Sequence, residues 1–188
     1  MPLPLNTPPT ASFDEPFDLL HACHARVERS LVLLLRLGDY LSEQGGQDPD
    51  GLARDAATDV LRYFDVAGPL HHDDEERHVF PALRQAGQPE LAALADALQD
   101  EHRQMDAQWR PIRADLQTLQ SGQMPDAQML QAARQRWSAF AALYRKHLAT
   151  EESLAYPPCI QRLNPADQQA MGREMAGRRG ARYPEDRR

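Results

Sequence analysis

The chain has 188 residues, a hydrophobic fraction of 41% and a formal net charge of −7, enough for one domain with a substantial core. The acidic balance argues against general nucleic-acid binding, because a phosphate backbone rewards a basic face. The longest apolar run, Leu31 to Leu35, is too short for a membrane span, and Cys23 and Cys159 suggest neither a disulfide framework nor a thiolate metal site, so a cytoplasmic location is expected.

Residues 1–13 read as a flexible leader: Met1 to Ser12 holds four prolines and no basic residue, which does not fit a signal peptide. A first helix is expected from about Asp14, with Leu20, His24, Val27, Leu31, Leu34 and Leu41 on one stripe, ending before Gly45-Gly46. The second should run from Gly51 to Gln85 with Val60, Phe64, Ala67, His71 and His78 on its stripe and a kink at Gly68-Pro69. A third starts at Pro89, carries Leu98, His102, Met105, Trp109, Ile112, Leu116 and Leu119, and should bend at Pro111. The fourth, from about Asp126, carries Trp137, Phe140, Tyr144, His147, Glu151 and Leu154, and Pro157-Pro158 should end it. Residues 161–188 read as a short helix, Pro165 to Met175, followed by a basic tail, Arg178 to Arg188, that is either solvated, the favoured reading, or a contact for an anionic partner. Strand-like alternation is absent and the loops are short, so an all-α, antiparallel up-down-up-down four-helix bundle over residues 14–160 is predicted.

In each predicted helix a seam position is a histidine rather than an aliphatic residue. Counting from the loops at ~1.5 Å per residue puts His24, His71, His102 and His147 within about one turn of a common level. His71 and Glu75 stand one turn apart on one face, as do His147 and Glu151. The likeness of these two segments extends further, to His-x-x-x-Glu-Glu, to the endings Phe80-Pro81 and Tyr156-Pro157, and to Phe64 and Phe140 upstream. One histidine on an apolar face is more often a hydrogen-bonded core residue than a ligand. Four at one level, two with glutamate at i+4, would cost several kcal/mol if buried unpaired, so a metal site is expected. Nitrogen and oxygen ligands without thiolate suit iron or manganese, with zinc chemically compatible. Six ligands exceed one tetrahedral zinc, and two glutamates placed to bridge point to a pair of ions.

Other residues nearby are assigned more modest roles. His21 and His78 either meet beyond the site, as an outer pair or a pH-sensitive gate, or are partly exposed at the bundle end. His72 should point away from His71 into solvent, and Asp73 and Asp74 should face water. Tyr144 either hydrogen-bonds a bound ligand or is simply core.

The order His24, His71-x-x-x-Glu75-Glu76, Glu101-His102 and His147-x-x-x-Glu151-Glu152 resembles the hemerythrin-like, or HHE cation-binding, family from about Phe17 to Pro158. The resemblance implies a non-haem di-iron centre with His24, His71, His102 and His147 as terminal ligands and Glu75 and Glu151 as bridging carboxylates. Oxygen-carrying members of the family have a fifth histidine where this chain has Asp106. The matching place after His24 is Glu28, and each acid is either an extra ligand or an outer or surface carboxylate. Fewer imidazoles leave more exchangeable positions, which favours irreversible oxygen chemistry over reversible carriage. The cysteine-bearing amino-terminal segment of the family's repair proteins is not seen here.

The expected cofactor is two iron ions, and the expected partners are dioxygen, nitric oxide or peroxide together with an unidentified redox partner, without nucleic acid or membrane. Three roles follow from this. One is a sensor or carrier; another is an oxidase, peroxidase or nitric oxide reductase; the third is an iron-storage or iron-centre repair protein. Oligomeric state is left open.

Overall fold

The first helix, α1 (Pro16–Glu43), starts on a proline that loses nothing at a position where the N–H has no intrahelical partner. It stops where Gly45 and Gly46 take positive φ, 64° and 87°, a backbone region costly for other residues. These elements come from a computed structural model that describes residues 12–183; the expected leader up to residue 11 and the last five residues lie outside it. Among the described residues every regular element is helical, and no helix is long and apolar enough to cross a membrane.

The second rod is built in three pieces: α2 (Gly51–Arg62), α3 (Gly68–Asp74) and α4 (Phe80–Arg84), joined by wide π-turns at Tyr63–Ala67 and Glu75–Val79. The third is α5 (Pro89–Gln120), unbroken through Pro111. The fourth is α6 (Ala127–Thr150), a π-turn at Glu151–Ala155, and α7 (Tyr156–Arg162). A last helix, α8 (Pro165–Arg178), runs past its predicted end. Asp50, Asp126 and Asn164 cap α2, α6 and α8 through side-chain bonds to the N–H groups of Ala53, Met129 and Asp167. Each cap is worth about 1 kcal/mol.

The three π-turns share a setting, although a proline alone does not require a π-turn, since α5 passes through Pro111 without one. Each ends two residues before a proline (Pro69, Pro81, Pro157), whose ring deprives the carbonyl four residues back of its partner. The widened turn lets the preceding residue bond five back instead: Gly68 to Tyr63, Phe80 to Glu75, Tyr156 to Glu151. This corrects two expectations. Pro69 follows a wide turn that replaces a simple kink, and Pro157-Pro158 does not end the fourth rod, which continues to Arg162.

A wide turn also shifts the buried stripe by one residue. Gly68 is buried where Ala67 was expected, Val79 where His78 was expected, and Ala155 where Leu154 was expected; Leu154 is 56% exposed.

α1 packs on α2 and α6, and α5 packs on the same two. The cross-rod pairs run in opposite order along their rods. Glu28–Arg145 and Asp39–Arg134 join α1 to α6; Arg84–Asp96, Asp65–Arg113 and Thr58–Gln120 join the second rod to α5. The core falls into two apolar clusters. One holds Val27, Leu31, Phe64, Met105, Trp137 and Phe140; the other holds Leu20, Val79, Phe80, Leu98, Tyr156 and Met175. In the first three rods the histidine and glutamate positions lie between the residues given to one cluster and those given to the other; in the fourth Glu151 does, and His147 stands just before Leu148, the last residue of the first cluster.

The carboxy-terminal segment is not wholly a solvated tail. Met171 and Met175 of α8 join the second cluster. Arg178 and Arg179 each donate at 2.5 Å to Asp74, which is 0% exposed and so does not face water as expected. A carboxylate this deep requires such partners. Asp73 pairs with Arg77 at 2.8 Å on the surface side.

Candidate metal centre

Four imidazoles and two carboxylates, all buried, converge between the two apolar clusters. His24, His71, Glu75 and Glu151 form one group whose donor atoms lie within 4.8 Å of one another, and Glu75, His102, His147 and Glu151 form another. Glu75 and Glu151 belong to both. His102 Nε2 and His147 Nε2 face each other at 3.0 Å, and His147 Nε2 lies 3.0 Å from Glu151 Oε1. On the other side His24 Nε2 is 3.3 Å from Glu151 Oε2, and His71 Nε2 is 3.4 Å from Glu75 Oε1.

Several of these approaches are close without the alignment of hydrogen bonds. Both ring nitrogens of His71, both oxygens of Glu151 and Oε2 of Glu75 are buried with no hydrogen-bond partner. Leaving such a group unsatisfied costs about 1–3 kcal/mol, more when it is charged. Orphaned atoms on three residues of these donor groups, His71, Glu75 and Glu151, fit bound cations, and the nitrogen–oxygen set without sulfur suits a borderline or hard one.

The outer nitrogens are held from behind. His24 Nδ1–H donates to Glu152, His102 Nδ1–H to Glu76 and His147 Nδ1–H to Glu101, each at 2.9 Å. A carboxylate behind Nδ1 fixes the tautomer and aims the Nε2 lone pair inward, as around bound metals generally. Lys146 reaches Glu101 from the surface at 2.7 Å, and His21 stands 3.5 Å from Glu152. His71 has no such support.

The electrostatics follow the acids. Burial alone would lower His24, but Glu151 and Glu75 outweigh it and hold the imidazole at about 10. Burial opposes Glu75 and Glu76 at His102 in the same way, and the result is about 9. His147 is also raised, because Glu151 outweighs burial. His71 is lowered, since burial exceeds the pull of Glu75. Without a cation, protons on these imidazoles balance the acids.

The hemerythrin HHE cation binding domain matches residues 15–159. The chain belongs to that family. A Haemophilus influenzae protein, described only as uncharacterized, is similar to it, with 33% identity over 144 residues that cover 77% of this chain and 78% of the other.

Within this hemerythrin-like domain the six central residues come together, and the lesser candidates fall elsewhere. Glu28 pairs with Arg145 at 2.7 Å on an exposed face, and Asp106 is exposed, so neither reaches the centre. His21 is half-exposed beside Glu152, whereas His78 turns to Glu174 and Arg178, so the two serve different partners. Tyr144 meets His72 Nε2 at 3.2 Å. His72 is a clear correction: it is 8% exposed and stacks on His102 with centroids 3.9 Å apart. Sequence spacing turned it away from His71 correctly, but the direction away is occupied by α5, not water. Burial, with His102 next to it, drives its pKa well down, so it is a neutral partner in that stack.

Three features of the site were missed. Glu76 and Glu152, the second acids of the repeated Glu-Glu pairs, are the carboxylates behind His102 and His24; their recurrence was the available signal. Glu101, next to His102 in the chain, is the carboxylate behind His147. Tyr156 is the third. Its hydroxyl is buried, donates to Glu75 and lies 2.9 Å from His24 Nε2.

Proposed function

We propose that this chain is a non-haem di-iron protein, an antiparallel up-down-up-down bundle over residues 14–160, that acts in the cytoplasm as a sensor or carrier of dioxygen, nitric oxide or peroxide. The opposed order of cross-rod pairs supports the topology. One observation carries the metal reading: two four-residue donor groups share Glu75 and Glu151 and nothing else. Manganese suits the same donors, and zinc is chemically compatible with them.

When bound, the two ions supply electrons and exchangeable positions for a small ligand. The chain supplies the rest. His24, His71, His102 and His147 present nitrogen, and Glu75 and Glu151 present one oxygen to each side. Glu152, Glu76 and Glu101 keep three imidazoles oriented. Phe64 in one apolar cluster and Phe80 and Tyr156 in the other are buried aromatic rings on the rods that carry the site.

A second reading, oxidase, peroxidase or nitric oxide reductase, draws support from Glu101–Lys146 and Glu152–His21, which link buried imidazoles to the surface and offer routes for protons. Storage or repair of iron centres is a third reading. Anaerobic loading with ferrous iron, followed by air in a spectrometer, separates them. A persistent charge-transfer band reversed by degassing supports binding; bleaching with peroxide consumption supports an enzyme; rapid metal loss supports iron handling. Failure to retain two ions per chain in elemental analysis refutes the di-iron reading altogether.

A further inference from the structure

We propose, resting on the two-ion reading above, that the Tyr156 phenol oxygen is a ligand of the ion held by His24 and His71, so the two halves of the centre differ in donor set. Tyr156 Oη lies 2.9 Å from His24 Nε2 and is bonded to Glu75 Oε1, two donors of the same group. Two ligands at right angles, each about 2.1 Å from one ion, stand about 3 Å apart. The other side of the centre shows this spacing too: His102 to His147 is 3.0 Å, and His147 to Glu151 is 3.0 Å.

The repeated motif supplies an internal control. Phe80 and Tyr156 each follow a bridging glutamate across a π-turn, and each is wholly buried against a ligand imidazole. Phe80 sits 5.2 Å from His102 and Tyr156 sits 5.4 Å from His24, centroid to centroid. Packing at this place is therefore met by a plain ring. The hydroxyl in one copy alone adds a buried polar atom, and it is directed at the donors of the first group. A buried phenol needs a partner, and here the partners are the ligands themselves.

Ligation replaces the phenolic O–H bond with an O–metal bond, and the proton leaves to the buffer; no electron moves. The first group then offers five protein donors and the second four, which leaves the ion of His102 and His147 more open to an incoming molecule.

The test uses the full chain, loaded with ferrous iron and oxidised to the ferric form with ferricyanide. Wild type should show a visible phenolate-to-iron band, and resonance Raman excited within it should show tyrosine ring modes that shift when ring-deuterated tyrosine is incorporated. Tyr156→Phe should keep two irons per chain and lose the band, whereas Tyr144→Phe keeps it. On zinc binding, calorimetry in buffers of different ionisation enthalpy should count one proton fewer released by Tyr156→Phe. Should that variant not fold, the isotope shift in wild type decides alone. A diferric wild type without tyrosine modes, or a Tyr156→Phe band identical to wild type, overturns the assignment while leaving the two-ion reading intact. A wild type that takes up no iron overturns both.

Discussion

Raising the pH should destabilise the metal-free protein, and the effect can be sized from His24 and His102. Their folded values, about 10 and about 9, lie above the ordinary 6.5. A group raised on folding contributes stability that is complete below its unfolded value and lost as pH climbs through its folded value. Between pH 7.5 and 8.5 the native state then holds about two protons that the unfolded chain has shed, so stability falls by ~2.7 kcal/mol per pH unit. Against a typical total of about 5–15 kcal/mol that is a large fraction. His147, also raised, steepens the fall, and the raised cysteine thiols add to it only nearer their usual range. The assay is urea denaturation of chelator-treated protein across this window, beside the metal-loaded form. With ions on the imidazoles no such protons remain, and the stability of the loaded form should not fall across this window. A metal-free curve that does not fall either refutes the claim that the central acids hold protons on these rings.

Replacing Glu101 with Gln should weaken metal binding by about 10–100-fold in a chelator competition while the stoichiometry stays at two, because His147 loses its anionic support but not its place. His71→Ala should drop metal content below two ions per chain, and Asp106→Asn, on the exposed side of α5, should change neither content nor air reactivity. Changing Arg178 and Arg179 together to Ala leaves Asp74 buried and unpaired, and should cost about 3–5 kcal/mol in urea denaturation. A loss under about 1 kcal/mol would mean that Asp74 finds water instead.

The four rods and the six central residues were legible because glycines, prolines and caps punctuate the chain clearly and because the His-x-x-x-Glu spacing is a purely local signal. What sequence periodicity misplaced has one main cause. A constant 3.6-residue period carries the stripe through Ala67, His78 and Leu154, yet three wide turns, each just ahead of a proline, move burial one residue onward, to Gly68, Val79 and Ala155. The other misses involve partners distant in the chain. Asp74 looked like part of a surface charge run because its two arginines lie about a hundred residues away, and His72 looked solvated because nothing local announces His102 behind it. Glu76 and Glu152 could be seen to repeat, but only the packing shows which imidazoles they steer.

The two apolar clusters never merge into a continuous greasy spine, because a charged floor separates them at the level of the four imidazoles. Cohesion across that floor depends on whatever neutralises it, and an ion does so far more firmly than scattered protons. On the proposed metal reading, the folded lifetime of the chain, and with it the amount that survives proteolysis, should rise and fall with metal supply, so that abundance would itself gauge the ion.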